Sequence, residues 1–197
     1  TEHDNYPLLE RPAPYLCADR VDYTLRESKT WTAPDIVPQL VEDLTNYDGQ
    51  IAFKTIGSAK NFAEVYARMQ REHWAGVEAT VRWELLARAL KIGLEEDIIT
   101  MEDFYTNDDA VISKLEQSND QRIDGVISIL RQEKLNVVEN RENPQFSIVK
   151  KFRYIDPHYV YGSGVQPLSE GDVKYSAFLD EQRKINERGT KVDLIKK

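Results

Sequence analysis

The segment Cys17-Ala-Asp-Arg-Val-Asp-Tyr-Thr-Leu-Arg-Glu27 gathers an unusual density of side chains that could do chemistry. On a helix, Asp19, Tyr23, Arg26 and Glu27 fall at i, i+4, i+7 and i+8 and project from one side, with Arg20 at the flank. Carboxylate, phenol and guanidinium in one neighbourhood suit a place where a cation meets a phosphate. The carboxylate offers oxygen to a metal, Arg binds phosphate oxygens and the Tyr hydroxyl orients the group. An exposed helix carrying an ordinary Asp22–Arg26 pair at i,i+4 would have the same spacing and stands as the competing reading.

Three histidines, His3, His73 and His158, limit any metal site the chain could complete by itself. His3-Asp4 is separated from Asp19 by a stretch containing Pro7, Pro12 and Pro14, and it is expected to be a loop residue near a chain end. His73 has Val77 at i+4 instead of a second ligand, which favours a core or pocket-wall role. His158 follows a proline among Tyr154, Tyr159 and Tyr161 and reads as a packed or surface side chain.

Asp-Arg-x-Asp-Tyr-x-x-Arg-Glu, residues 19–27, resembles a segment of the HD-domain phosphohydrolases, particularly the branch that includes deoxynucleoside triphosphate triphosphohydrolases. In that family a His, a His-Asp pair and a distant Asp bind one or two divalent metals inside a helical bundle. The resemblance maps the distant Asp onto Asp19, as metal ligand and catalytic residue, and it implies that Arg20 and Tyr23 face substrate phosphates. Glu27 falls where the family places an Asp near the nucleotide sugar, and its longer side chain is a departure. Arg71-Glu-His-Trp74 loosely resembles part of a helix that lines the nucleotide pocket, which makes Arg71 and His73 candidate substrate contacts. Lys151-Phe-Arg-Tyr-Ile-Asp-Pro157 looks like a recurring C-terminal element of such proteins and receives no role.

The resemblance therefore implies a phosphohydrolase acting on a nucleotide or other phosphoester with a divalent cofactor, with Mn, Fe, Mg, Co, Ni and Zn not distinguished. The remaining His and His-Asp ligands are expected from an upstream part of the same protein. A helical interaction or regulatory module without catalysis is the alternative, and a homo-oligomer is left open.

To position Asp19, the pattern provides a short helix from Ala18 to about Arg26 and a second between Pro34 and Leu44. Turn and short strand or loop follow over Tyr47–Ile56. Apolar spacing then predicts one long helix from Ser58, as N-cap, to Leu94. A capping box at Thr100–Asp103 and helices over Asp108–Glu116 and Gln121–Gln132 come next. Leu135–Glu139 and Phe146–Tyr154, around the turn at Asn140–Pro144, predict a hairpin. A helix over Ser169–Glu187, ended by Gly189, and an edge strand at Thr190–Ile195 complete the pattern. The expected fold is mainly α: the C-terminal part of an HD-like helical bundle over 1–134, with a β hairpin and terminal helix over 135–197.

Composition sets the outer bounds. The 197 residues are 41% hydrophobic and 30% charged, which is enough apolar material for a substantial core. A net charge of −8 disfavours a nucleic-acid partner or an acidic membrane surface. Cys17 is the single cysteine, so no intrachain disulfide forms, and a reducing, cytoplasmic location is expected. No apolar run reaches the length of a membrane span.

Overall fold

The computed structural model describes residues 6 and 8–195, so His3 and Asp4 lie outside the described residues. The chain divides into two compact units, residues 1–75 with 149–189 and residues 76–148 with 190–197. The division expected near residue 135 falls inside the second unit.

The first unit is built on α1 (Ala18–Trp31), whose buried Val21, Thr24, Leu25 and Ser28 recur at three- and four-residue spacing. The two buried hydroxyls bond back to their own helix: Thr24 Oγ1 donates to the Arg20 carbonyl at 2.6 Å and Ser28 Oγ to the Leu25 carbonyl at 3.1 Å. A single 3₁₀ turn at Pro34–Ile36 leads into α2 (Val37–Asp43). Strands β1 (Leu44–Tyr47) and β2 (Gln50–Phe53) form a hairpin through Asp48-Gly49, both at positive φ (48° and 76°). Helix α3 (Ile56–Met69) is capped by Thr55, whose hydroxyl accepts from the Ser58 amide at 3.2 Å, so the cap falls three residues before the expected Ser58.

Strands β5 (His158–Tyr161) and β6 (Gly164–Pro167) complete a four-stranded sheet in the order β1-β2-β5-β6, with β2 and β5 parallel. Helices α7 (Leu168–Gly171) and α8 (Val173–Arg188) follow. Asp172 separates them: it caps α8 by accepting from the Lys174 and Tyr175 amides and pairs with Lys60 at 3.0 Å. The core of this unit includes Leu25, Leu40, Phe53, Phe62, Tyr66, Ile155 and Tyr175, with the Phe53 and Phe62 rings 5.2 Å apart.

The second unit holds α4 (Val77–Glu95), a 3₁₀ turn at Met101–Tyr105, α5 (Asp108–Gln117) and α6 (Gln121–Leu130). The capping box is present: the Asp103 carboxylate accepts from the Thr100 amide at 2.8 Å. Asn107 and Asp120 cap α5 and α6. One core lies between α4, α5 and α6, through Ala89, Ile99, Val111, Leu115, Ile123 and Ile127. A second sits under a small sheet, through Val81, Leu85, Leu135, Phe146 and Val192.

The mainly α bundle is not what the chain forms. Of the described residues about 57% are helix and 14% strand, arranged as helices with two separate small sheets, which is a mixed α/β architecture. Three local differences account for the correction. The long helix expected over Ser58–Leu94 is interrupted: α3 ends in a π turn at Gln70–Trp74, Ala75 leaves helical geometry, and Gly76 is extended (ψ 162°) before α4 begins. The expected hairpin over residues 135–154 does not pair with itself, because β7 (Thr190–Leu194) lies between β3 (Val137–Glu139) and β4 (Phe146–Ile148), antiparallel to both. The strand expected at an edge is therefore the centre of its sheet. It is fixed there by Asp193, which accepts from Asn140 Nδ2 and the Gln145 amide, both at 2.7 Å. Finally, β1, β2, β5 and β6 build a second sheet where only short strand or loop was expected. Among the described residues no helix is long and apolar enough to cross a membrane.

Asp120 gives the second unit a specific acid sensitivity. Hydrogen bonds from the Arg122 side chain and amide hold its carboxyl down at about 2, below the ordinary 3.8. A lowered folded value means stabilisation that is present above about pH 4 and lost as the pH falls toward 2. The stability difference between wild type and Asp120→Asn is expected to be constant above pH 4 and to shrink below it. Chemical denaturation at stepped pH values reads that difference, and a gap that stays constant down to pH 2 would remove this role.

Candidate functional site

The candidate site lies in the first unit, where the α1 motif meets α3 and the π turn. Tyr23 and Glu27, one helical turn apart on α1, both address Trp74. The Trp74 indole N–H donates to Glu27 Oε2 at 2.6 Å, and the Tyr23 ring meets the indole edge-on at 4.9 Å. Tyr66, on α3, contacts the same indole at 5.4 Å. Burial pushes the Tyr66 phenol well above its usual value, and Tyr23 beside it adds to the rise, while Arg20 and Arg153 pull it down. Two phenols and an indole-held carboxylate thus share one neighbourhood, with the charges of Arg20 and Arg153 felt at Tyr66.

The π turn explains how Trp74 reaches this place. An extra residue in the last turn of a helix shifts the following side chains out of α-helical register, and the turn here spans Gln70–Trp74. The Ala75 carbonyl that follows accepts from the half-buried Lys150 ammonium, whose proton is held less tightly because of burial. On the same turn, His73 meets the half-exposed ring of Trp31 with ring centroids 4.6 Å apart. Arg71 is exposed on the same turn.

Arg20 is less free than the motif suggests. Its side chain is only 14% exposed, and its guanidinium donates to the Tyr15 carbonyl and, at 3.2 Å, to the Arg11 carbonyl, with Glu10 at 4.0 Å. These contacts tie the lead-in segment onto α1. Asp19 is exposed in the first turn of α1, where the helix dipole favours a negative charge. The Asp22–Arg26 pair is seen at 3.2 Å, with both side chains about two-thirds exposed, so Arg26 faces away from the Tyr23–Glu27 side. His158 stacks on Tyr15 at 5.8 Å, and burial pushes its imidazole below the ordinary value.

Of the residues singled out from the sequence, the structure brings Tyr23 and Glu27 together, with Arg20 near them. His73 and Arg71 sit on the adjoining turn, and Asp19 stands one helical turn before Tyr23. Tyr66 and Trp74 join them without having been singled out, and the charge of Arg153 is felt at Tyr66. Trp74 closes the Arg71–Trp74 stretch, and Arg153 lies inside the Lys151–Pro157 element that had no role, so both were adjacent to a visible signal. Among the described residues, no group of three or more His, Cys, Asp and Glu side chains could hold a metal ion. Asp19 offers one carboxylate of the kind a divalent cation takes, and the described residues do not complete a set around it.

No protein-family model matches the chain, and no solved structure matches it. It is similar to a Bacillus subtilis (strain 168) protein named "Uncharacterized protein YdhJ", with 29% identity over 189 residues. That alignment covers 95% of this chain and 56% of the relative, so the chain spans a little over half the length of the curated protein it matches.

Proposed function

We propose that this chain is part of a metal-dependent phosphohydrolase acting on a nucleotide or another phosphoester, working in the cytoplasm. The reading is carried by one observation: the Tyr23–Glu27 face of the motif converges with Tyr66 and Trp74 in a polar, aromatic cluster. An exposed helix with solvated charges has no need of an indole fixed to its glutamate.

In this reading Asp19 is one ligand of a divalent cation, and the other ligands come from residues outside this chain, for which a relative of nearly twice the aligned length leaves room. A cation held there would supply Lewis-acid polarisation of phosphoryl oxygens and activation of water. The chain's own residues bind and orient. Arg153 neutralises phosphate charge, and the Tyr23 hydroxyl donates to a phosphate oxygen. Trp74 fixes the Glu27 carboxylate at the rim, and His73 on Trp31 walls the approach. Arg20, held by backbone carbonyls, contributes its charge from a fixed position.

The engagement of Arg20 in tying down the lead-in segment favours a second reading, a helical interaction or regulatory module in which the motif serves structure alone. One assay separates the two. The full-length polypeptide is incubated with Mn²⁺ or Mg²⁺ and either deoxynucleoside triphosphates or a simple phosphomonoester, and phosphate, pyrophosphate and triphosphate are measured. Metal-dependent release supports the enzyme; no release with any of these substrates and metals supports the module.

A further inference from the structure

In the second unit, Leu86 and Leu90 of α4, Phe104 of the 3₁₀ turn and Val111 and Ile112 of α5 form the apolar part of a groove of about 260 Å³, whose lining also includes Asp103 and Asp108. Phe104 is 45% exposed, and its chain neighbours Met101 and Tyr105 are 66% and 91% exposed. Exposed aromatic and Met side chains beside an apolar cleft are the make-up of interface cores. The volume falls below the usual range of small-molecule pockets, roughly 300–1,000 Å³, and suits the seating of one or two anchoring side chains.

Two acids, Asp103 and Asp108, line the groove, and the sequence that supplies Phe104 and the start of α5 is acidic, which selects the occupant. From residue 92 to residue 113 the chain carries Glu95, Glu96, Asp97, Glu102, Asp103, Asp108 and Asp109, with no Lys or Arg. Glu96 is paired with Arg122, Asp103 with Lys114 and Glu95 with Lys91. Glu102, Asp108 and Asp109 are exposed and carry no ion pair among the described residues. An apolar cleft with an acidic rim complements a basic amphipathic segment, whose large apolar side chain fills the cleft while flanking Lys or Arg meet the rim. A second copy of this acidic surface would be repelled.

We infer that this groove is a docking site for a basic amphipathic helix of a protein partner. The test uses the full chain and two synthetic helical peptides that share one leucine stripe, one bearing Lys and the other Glu on the remaining positions. Binding is followed by calorimetry and by amide chemical shifts. The Lys peptide is expected to bind, shifting Leu86, Leu90 and Ile112. Phe104→Ser is expected to weaken it about tenfold or more, and the double change Asp108→Asn with Asp109→Asn about fivefold. The double variant alters only exposed side chains and serves if Phe104→Ser does not fold. The inference is overturned if the Glu peptide binds as well, if neither variant weakens the Lys peptide, or if the free chain self-associates through these residues.

Discussion

Replacing Asp19 by Asn in the full-length polypeptide is expected to lower kcat/KM for phosphoester hydrolysis by at least about a hundredfold while leaving the fold intact. The size follows from its assigned role: loss of a residue that merely supports a metal ligand costs about 10- to 100-fold, and loss of a ligand costs more. The selectivity follows from its position. Asp19 is exposed in the first turn of α1, so the substitution forfeits only a favourable dipole interaction, typically about 0.3–1 kcal/mol, and no buried contact. The metal concentration needed for half-maximal activity should rise in parallel. Asp22→Asn is the control, because Asp22 is exposed and paired only with the exposed Arg26. It should change the rate by less than about twofold. If Asp19→Asn and Asp22→Asn behave alike, Asp19 is a surface charge and the ligand assignment is wrong.

Phe62→Ala carries the largest expected effect on stability. Phe62 is fully buried on α3, tilted against Phe53 of β2, in the core that also holds Leu25 of α1 and Tyr66. Removing a buried Phe costs about 3–5 kcal/mol through lost transfer energy and the cavity left behind, a large part of a typical domain's stability. The consequence reaches the site, since α3 presents Tyr66 and leads into the turn that carries Trp74. Denaturant unfolding should show the loss in the first unit, and emission from Trp74 should shift before global unfolding. A change under about 1 kcal/mol would mean that α3 is not the support of this site.

The helices that read correctly from sequence are those whose signals are local. Helix α1 shows its buried stripe in Val21, Leu25 and Ser28, and α5 and α6 start at Asn107 and Asp120, side chains that accept from the amides of the first turn. The Thr100–Asp103 box depends on four consecutive residues. The features that did not read are set by distant partners. Apolar spacing runs unbroken across Gln70–Gly76; Gly76 is the one local sign of the break, and the contact of Trp74 with Glu27, 47 positions earlier, lies outside any local window. Likewise β7 becomes central because Asp193 collects donors from Asn140 and Gln145, a pairing no local window contains. The β1–β2 hairpin did carry a local sign in Asp48-Gly49, a two-residue turn at positive φ.

The site was half legible for the same reason. Tyr23 and Glu27 share a helix face by spacing alone, whereas Tyr66 and Trp74 arrive through tertiary packing. The motif also could not reveal that Arg20 spends hydrogen bonds on the carbonyls of Arg11 and Tyr15. That is a structural duty, and it leaves the Arg20 guanidinium less free for a ligand.

The most direct test of an anion site at the Tyr23–Trp74 face is a titration of the full chain carrying Trp31→Phe and Trp83→Phe, so that Trp74 alone reports. Trp31 and Trp83 are both more than half exposed, and their replacement leaves the core intact. Inorganic tripolyphosphate and a deoxynucleoside triphosphate are the probes. The account predicts a saturable change in Trp74 emission with both, weakened about tenfold by Arg153→Gln or Tyr23→Phe. An emission that does not respond to either probe, or a response that both variants leave unchanged, would contradict it.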